Sequence, residues 1–300
     1  MFYLIQTFLE KLPLQKKAPL LAVVGPTGSG KTALSLKIAK EIGGEIINAD
    51  SKQLYKGLET TTGAILPSET QGVPHHLFSY VPPSKIYNVV QHRKDALHVI
   101  QGIHERKKIP ILVGGTGLFV NSLIQNYRFH TYPQEHSYQT GLDKKTSEEL
   151  WKMLEEIDPH YLSKTDKNNR RRVISAIQHF QETGLKKSAA GIEESLFFSL
   201  ILMPEIKSRE ALYSHINKRA EEIWHSGLLP EAKALYEAKL DENLPALKSI
   251  GIPEAFSFFR GEVSEEEAVE KMQKKSRNYA KRQLTWWRGD EKVEILLEEV

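Results

Sequence analysis

Short apolar runs separated by segments with helical spacing fill the first half of the chain. Leu20–Val24 predicts a buried strand, and the apolar side chains of Lys31–Ile42 recur as on one face of a helix. Glu45–Ala49 and Pro110–Val113 predict two further strands, and Tyr87–Arg106 predicts a helix between them. Because strands alternate with helices, we expect a parallel α/β sheet.

The pattern changes after Leu123. Residues 126–191 are polar and basic, have mostly helical periodicity and contain no convincing strand, whereas Leu196–Met203 again has the composition of a core strand. We therefore predict one sheet domain interrupted by a helical insertion. The predicted boundaries are 18–124 and 196–300 for the sheet domain and 125–195 for the insertion.

The last third of the chain predicts two long helices and a final strand. The helices are Ser208–Lys239 and Ser264–Arg288, and the strand is Lys292–Leu297. In the second helix, Tyr279, Trp286 and Trp287 occur at helical spacing, which favours packing in the core over stacking on bases.

Composition narrows the class of protein. The chain has 300 residues, 40% of them hydrophobic and 26% charged, as in an ordinary soluble globular protein. It contains no cysteine, which excludes disulfides, zinc–thiolate sites and thiol nucleophiles and fits a reducing cytoplasm. Met1–Leu14 is interpreted as a short amphipathic extension, and no stretch approaches the length of a membrane span. We expect a cytoplasmic protein without membrane contact.

Positive charge is concentrated in two segments of a chain whose formal net charge is only +3. Residues 160–190 contain seven Lys and Arg against two acidic residues, and residues 271–288 contain seven and no acidic residue. Such clustering indicates a polyanionic partner or, alternatively, two solvated helix faces. Charge alone leaves both interpretations open.

A phosphate-binding loop is predicted between the strand Leu20–Val24 and the helix Lys31–Ile42. The segment matches G-x-x-x-x-G-K-[ST] in the strand–loop–helix context that the motif requires. Its backbone N–H groups and the helix N-terminus would bind phosphate oxygens, Lys31 would add a charge, and the Thr32 hydroxyl could ligate Mg²⁺. The fold class predicted is therefore a P-loop NTPase-like parallel sheet flanked by helices. The loop residues are Gly25, Pro26, Thr27, Gly28, Ser29, Gly30, Lys31 and Thr32.

Asp50 follows the second predicted strand, at the same sheet edge as the phosphate loop. There it could be a metal ligand, a general base, or simply a turn or helix-capping residue. A P-loop GTPase or ATPase is disfavoured, because the chain contains no guanine-reading N-K-x-D segment and its third strand ends in Gly-Gly-Thr-Gly instead of a metal-binding aspartate.

His75 and His76 are adjacent and have no suitably spaced third ligand, which favours a structural or RNA-facing role over a metal site.

Seven segments in order resemble one known family, the tRNA dimethylallyltransferases (isopentenyl-tRNA transferases). The resemblance covers nearly the whole chain beyond the first 18 or so residues. The segments are Gly25–Thr32, Asn48–Leu58, Gly72–Phe78, Ile111–Phe119, Leu212–Leu235, Leu247–Phe256 and Arg277–Arg288.

The resemblance implies a donor, an acceptor and roles for individual residues. The loop, with Arg219, would hold the diphosphate of dimethylallyl diphosphate and its Mg²⁺, and the acceptor would be N6 of the adenosine 3′ of the anticodon in tRNA. Asp50 would be the general base, Lys31 would stabilise the leaving diphosphate, and Thr116 would contact the adenosine. Residues implied to engage tRNA are Asp50, Ser51, Lys52, Gln53 and Thr116.

The two basic segments gain a role from the same resemblance. Lys274, Arg277, Lys281 and Arg288 would form one helical stripe suited to an RNA backbone. The insertion would bind the anticodon loop through Arg170, Arg171 and Arg172. We expect a monomer. Departures from the family pattern include Asn169, Ser175, His215 and Ile252, together with Ser79 in place of an aspartate and a missing lysine near Thr62–Ala64.

Three other functions remain to be weighed. An adenylate isopentenyltransferase acting on free nucleotides should not need the arginine-rich insertion or the basic last helix. A P-loop nucleotide kinase would need an acceptor-phosphate site and lid arginines, which we do not identify. A non-catalytic RNA-binding module would not need Asp50 and Lys31.

Overall fold

The computed structural model describes residues 2–127, 141–163, 165–166, 168–184, 186–189 and 194–296. The chain forms two compact units, a core unit of residues 1–124 with 195–300 and an insertion unit of residues 125–194.

A six-stranded parallel sheet organises the core unit, which confirms the predicted α/β class. Its strand order is β3-β2-β4-β1-β5-β6. The third strand was not predicted, because two residues are too short for any apolar pattern to show. The strands are β1 (Ala18–Val24), β2 (Glu45–Asn48), β3 (His75–His76), β4 (Pro110–Gly114), β5 (Phe197–Pro204) and β6 (Val293–Leu296).

Helices cover both faces of this sheet. The helices before the insertion are α1 (Phe2–Lys11), α2 (Lys31–Ile42), α3 (Glu59–Thr62), α4 (Val89–Glu105) and α5 (Gly117–Ile124). Those after it are α9 (Arg209–Ile223), α10 (Leu229–Glu237), α11 (Ile252–Phe259) and α12 (Glu265–Arg288). No helix in the described part of the chain combines the length and apolar character needed to cross a bilayer.

The predicted single helix over 208–239 is wrong in one respect, because a π-helical turn at Trp224–Leu228 separates α9 from α10. Pro230 lies in the first turn of α10. Proline has no N–H to donate and its ring crowds the preceding turn, so the regular α-helical hydrogen bonds cannot continue through it. A single wider turn accommodates the proline without ending the helical path.

Two apolar layers hold the helices against the sheet. On one face, buried side chains of β1, β2 and β4 pack with α4, α5 and the helices after the insertion. On the other face, α1 and α2 cover the sheet. Ile5 and Phe8 of α1 are buried, and Phe8 stacks on Phe198 of β5 with ring centroids 5.0 Å apart. The opening segment is therefore part of the core.

The insertion unit is a small helical assembly. It contains α6 (Ser147–Ile157), α7 (Pro159–Ser163) and α8 (Arg170–Thr183). Thr146 begins α6 with a reciprocal cap, since its hydroxyl accepts from Glu149 N and its own N–H donates to Glu149 Oε2. Buried leucine and valine side chains from these helices form a separate core.

The strand register decides where the site lies. Val24 at the end of β1 pairs with Gly114 at the end of β4, and Asn48 at the end of β2 pairs with Val113. Because β2, β4 and β1 are neighbours and parallel, the loops that follow them start at one level of one sheet edge. These are the loops that carry Asp50, Thr116 and Lys31.

Candidate active site

A cavity of about 480 Å³ opens at this edge of the sheet. The phosphate loop and the Asp50 turn form one side of it, and α9 and α12 form the other. Ten of the residues predicted from the sequence line the cavity together. They are Thr27, Gly28, Ser29, Gly30, Lys31, Thr32, Asp50, Lys52, Gln53 and Arg219.

The phosphate loop has the backbone that anion binding requires. Gly25, Gly28 and Gly30 have φ values of 136°, 78° and 80°, a region that residues with a Cβ rarely adopt. Gly30 caps α2 without a side-chain hydrogen bond, so the N–H groups of the first turn remain directed at the loop. Ser29 Oγ is buried in the loop without a hydrogen-bond partner among the described residues. An anion would supply the missing acceptor.

Lys31 is held inside the loop. Its Nζ donates to Pro26 O at 2.7 Å. Burial lowers the pKa of Lys31 to about 8, Asp50 acts to raise this pKa and Arg219 to lower it further. The charges of Asp50 and Arg219 thus both act on Lys31. A bound polyanion would stabilise the two cations, Lys31 and Arg219.

The turn after β2 fixes the position of Asp50. Asn48 Oδ1 accepts from Asp50 N at 2.8 Å, and Asn48 Nδ2 donates to Asp50 O at 3.1 Å. The neutral ring of His92, whose pKa burial lowers to about 4, holds Asn48 O through Nε2 at 2.8 Å. Asp50 Oδ1 accepts from Lys52 N at 2.9 Å. The carboxylate thus stabilises its own turn and also faces the cavity.

The Gly-Gly-Thr-Gly loop lies against the Asp50 turn. A Cβ on Gly114 would be 2.3 Å from the backbone of Ala49, so only glycine allows this approach. Thr116 Oγ1 accepts from Ser51 N at 3.1 Å and lies 3.4 Å from Tyr279 Oη. Thr116 and Asp50 are therefore brought to the same corner of the site.

Two predictions about the aromatic residues of α12 are wrong. Tyr279 lines the cavity instead of the core, and burial, followed by the negative charge of Asp50, raises the pKa of its phenol. Trp286 is 40% exposed, whereas Trp287 is buried as predicted. Helical spacing gives the face of a helix, but the face that carries Tyr279 and Trp286 covers the site loops instead of the core.

Gln283 is a site residue that the sequence interpretation missed. It is buried, and its Oε1 accepts from Thr27 N at 2.8 Å. Its Nε2 lies over Gly115, where a Cβ would be only 1.9 Å from it. Gln283 thus connects the phosphate loop with the Gly-Gly-Thr-Gly loop. The one signal available was its spacing of four residues from Tyr279 on a basic helix.

The other predicted residues of the core unit have defined partners. Lys52 Nζ donates to Pro245 O at 2.6 Å, and Gln53 Nε2 donates to Gly63 O at 3.1 Å. Arg277 donates to Asn217 Oδ1, whereas Lys281 is exposed on α12. Arg219 lies over Gly63, where a Cβ would be 2.0 Å from its guanidinium. Gly25, Pro26, Ser51, Thr116, Arg277 and Lys281 do not line the cavity wall itself.

The arginines of the insertion unit occupy the first turn of α8. Arg170 donates to Leu142 O at 3.3 Å and to Lys145 O. Arg171 and Arg172 are exposed. Asn169, one of the departures from the family pattern, caps α8 by accepting from Arg172 N at 3.2 Å. Its amide therefore performs the capping that an aspartate would also provide.

Other departures have separate surroundings. Ser175 Oγ accepts from Lys187 Nζ at 2.7 Å within the insertion unit. His215 lines the cavity next to Gly28, and Ile252 is fully buried at the start of α11.

The paired histidines are structural. His76 Nε2 is 2.8 Å from Glu45 Oε2, and His75 Nδ1 is 2.7 Å from Val73 O. Among the described residues, no group of three or more acidic or histidine side chains converges as a metal cluster.

A parallel sheet with a glycine-rich anion loop after β1 and a carboxylate after β2 defines a P-loop NTPase-like α/β protein. The family described as IPP transferase matches residues 53–290 of the chain. The chain belongs to this IPP transferase family.

Several relatives are similar over most of their length. A tRNA dimethylallyltransferase of Anoxybacillus flavithermus is 38% identical over 91% of this chain and 88% of its own, and one of Geobacillus thermodenitrificans is 38% identical over 92% and 89%. The crystal structure of the tRNA isopentenylpyrophosphate transferase of Bacillus halodurans has 35% identity and a TM-score of 0.69, covering 94% of this chain and 90% of its own. A eukaryotic dimethylallyltransferase acting on tRNA has 27% identity and a TM-score of 0.80, covering 93% of this chain and 73% of its own.

Proposed function

We propose that this protein transfers the dimethylallyl group of dimethylallyl diphosphate to N6 of the adenosine 3′ of the anticodon in tRNA. The observation that carries the proposal is one cavity with three chemical surfaces, an anion loop at Lys31, a carboxylate at Asp50 and an apolar wall. The names of the family's curated members support the same reaction. The apolar wall suits an isoprenoid chain and consists of Val113, Ile216, Ile223, Ile250 and Met272.

The phosphate loop binds the diphosphate of the donor. Its backbone N–H groups, the first turn of α2 and Ser29 Oγ donate hydrogen bonds to the phosphate oxygens, and Lys31 and Arg219 contribute positive charge. When the bond between the allylic carbon and the diphosphate breaks, the electron pair goes to the diphosphate. The same donors stabilise this developing charge.

Mg²⁺ fits this site as an ion shared with the donor. The Thr32 hydroxyl lines the cavity, and Mg²⁺ commonly keeps several waters and binds through one or two protein oxygens and substrate phosphates. The absence of a carboxylate cluster among the described residues agrees with that mode of binding. Thr32 would hold the ion, which when bound neutralises charge on the diphosphate. Thr32→Val should raise the Mg²⁺ concentration that half-saturates donor binding.

Asp50 is the general base in this proposal. The lone pair of N6 forms the new C–N bond, and the proton that N6 loses goes to the carboxylate. Thr116, held between Ser51 and Tyr279, contacts the adenosine and orients its amine. The adenosine must leave its stack to reach the cavity, as other bases modified by enzymes do.

Basic side chains outside the cavity bind the RNA. Arg277 and Lys281 on α12 contact the phosphate backbone. Lys52 and Gln53 line the acceptor side of the cavity, and Ser51 engages the RNA next to Thr116, to which its N–H donates. The insertion, 125–195, binds the anticodon loop through Arg170, Arg171 and Arg172. The protein acts in the cytoplasm as a monomer.

One experiment tests the proposal against its alternatives. The protein is incubated with Mg²⁺, labelled dimethylallyl diphosphate and either an unmodified anticodon stem-loop RNA or AMP. We expect label at N6 of the RNA. Label in AMP alone would indicate an adenylate isopentenyltransferase, ATP turnover without prenyl transfer would indicate a kinase, and RNA binding without either reaction would indicate a non-catalytic module.

A further inference from the structure

Trp286 is the largest aromatic side chain exposed near the site. It is 40% exposed, whereas Trp224 and Trp287 of the core unit are fully buried. Single exposed aromatic side chains are common on protein surfaces, so a role for Trp286 depends on its position.

The indole has one covered face and one outward face. A Cβ built on Gly117 would lie 2.1 Å from Trp286 Nε1, 2.3 Å from Cε2 and 2.5 Å from Cδ1. Because these three distances are nearly equal, the Cβ position lies over the ring face and not in the ring plane. Gly117 therefore covers one face of the indole, and the face directed away from Gly117 is called the outward face.

This ring lies beside the acceptor corner. Gly117 directly follows Thr116, whose hydroxyl contacts Tyr279. Tyr279 and Trp286 are seven residues apart on α12, so they lie on the same face of the helix. Tyr279 lines the cavity, whereas Trp286 does not line it and is exposed.

An arginine lies on the same face of α12 as Trp286. Arg282 is one turn before it, with its guanidinium 5.6 Å from the ring centroid of Tyr279, and the end of the helix carries a further exposed arginine, Arg288. An aromatic face among arginines is the combination that binds single-stranded nucleic acid.

We propose that the outward face of Trp286 stacks on the nucleobase next to the acceptor adenosine. When the adenosine enters the cavity, its neighbour loses a stacking partner, and the indole replaces that partner. This inference rests on the proposed function and adds a specific contact to it. Trp286 is a binding residue for RNA and has no part in donor binding.

Two substitutions test the contact. Trp286→Leu removes the aromatic face and should weaken binding of an anticodon stem-loop RNA roughly five- to tenfold, whereas Trp286→Phe should retain most of the affinity. The KM for dimethylallyl diphosphate should stay unchanged in both. The matched control is Tyr236→Leu, because Tyr236 is 38% exposed but packs against Phe256 and Phe259 away from the cavity. It should not affect RNA binding.

Abasic RNAs identify the stacked base. Stem-loops that lack the base 5′ or 3′ of the acceptor are compared on wild type and Trp286→Leu. If the missing base is the stacked one, wild type should bind the abasic RNA as weakly as Trp286→Leu binds intact RNA. Trp286→Leu should bind that abasic RNA no more weakly than it binds intact RNA. Tryptophan fluorescence that intact RNA quenches in wild type but not in Trp286→Phe would agree.

Equal RNA affinity of wild type and Trp286→Leu, or additive losses at both abasic positions, would overturn this inference. If wild type transfers the prenyl group but shows either result, only the stacking contact fails. If wild type does not transfer it to RNA at all, the proposed function fails first.

Discussion

The two ends of β2 carry carboxylates with opposite surroundings. Glu45 begins the strand and is buried beside Arg106 at 2.7 Å, Lys108 at 3.4 Å and the ring of His76 at 2.8 Å. Asp50 follows the other end, where its carboxylate accepts a hydrogen bond from Lys52 N and lines a cavity. The two acidic residues lie only five positions apart, at opposite ends of one short strand.

The carboxylate of Glu45 is paired with basic side chains that belong to the fold, whereas the carboxylate of Asp50 lies where a substrate could bind. The pairs around Glu45 lower its pKa to about 2, with the hydrogen bond from Arg106 as the largest cause. The ionised carboxylate therefore connects β2 to the end of α4 through Arg106 and to the following segment through Lys108. The Asn48 side chain positions Asp50 by accepting from Asp50 N and donating to Asp50 O, and Asp50 lines the cavity. If the comparison is right, changes at the two ends should affect different properties.

Asp50→Asn should have the largest effect. The amide can still accept from Lys52 N, so the turn is preserved, but it cannot take a proton. We expect the single-turnover rate of prenyl transfer to fall roughly 10²–10⁴-fold. RNA affinity and thermal stability should stay close to wild type. A variant with full activity would remove Asp50 from the role of base.

Lys31→Met should come next. It keeps an unbranched side chain one atom shorter but removes the charge that stabilises the diphosphate, so kcat/KM for the donor should fall roughly 10²–10³-fold. In wild type, Lys31 is cationic below its pKa of about 8. Donor kcat/KM should therefore decline as the pH rises above about 8.

Lys31→Arg is the control for this pH dependence. An arginine stays charged throughout that range, so its activity, although lower, should lose the decline that is due to Lys31. The same decline in both proteins would assign it to another group.

Glu45→Gln should affect stability instead of catalysis. It leaves Arg106 and Lys108 without their buried partner, and we expect a loss of roughly 1–3 kcal/mol in the free energy of unfolding. Since the pKa is lowered in the folded state, the contribution is present above the ordinary pKa of 4.5 and is lost as the pH falls towards 2. Urea unfolding should show the difference between wild type and variant shrinking over that range. A large loss of kcat at unchanged stability would contradict the comparison.

Gln283→Leu should have the smallest of these effects. It removes the acceptor for Thr27 N, and we expect kcat/KM for the donor to fall roughly three- to tenfold, mainly through KM. Gln273→Leu is the matched control, because Gln273 is on the same helix but donates to Asn217 O. If both variants change donor KM equally, the bond to Thr27 has no special role.

Much of the core could be predicted from local pattern. The runs at β1, β2 and β4 and the spacing in α2 follow from side chains a few residues apart, and these elements were found. The two-residue β3 and the π-helical turn were missed, because the first depends on its neighbour β2 and the second on one proline inside an otherwise helical pattern.

The sequence by itself determined the chemistry of the anion loop, since eight consecutive residues set its backbone and its charges. It also indicated that Asp50 and Thr116 would share a sheet edge with that loop. Only the tertiary structure decided that α12 completes the site. Gln283 and Thr27 are 256 positions apart, and Tyr279 and Thr116 are 163 apart. Contacts over such separations depend on how whole elements pack, and the spacing of residues within one helix carries no information about which loops that helix will cover.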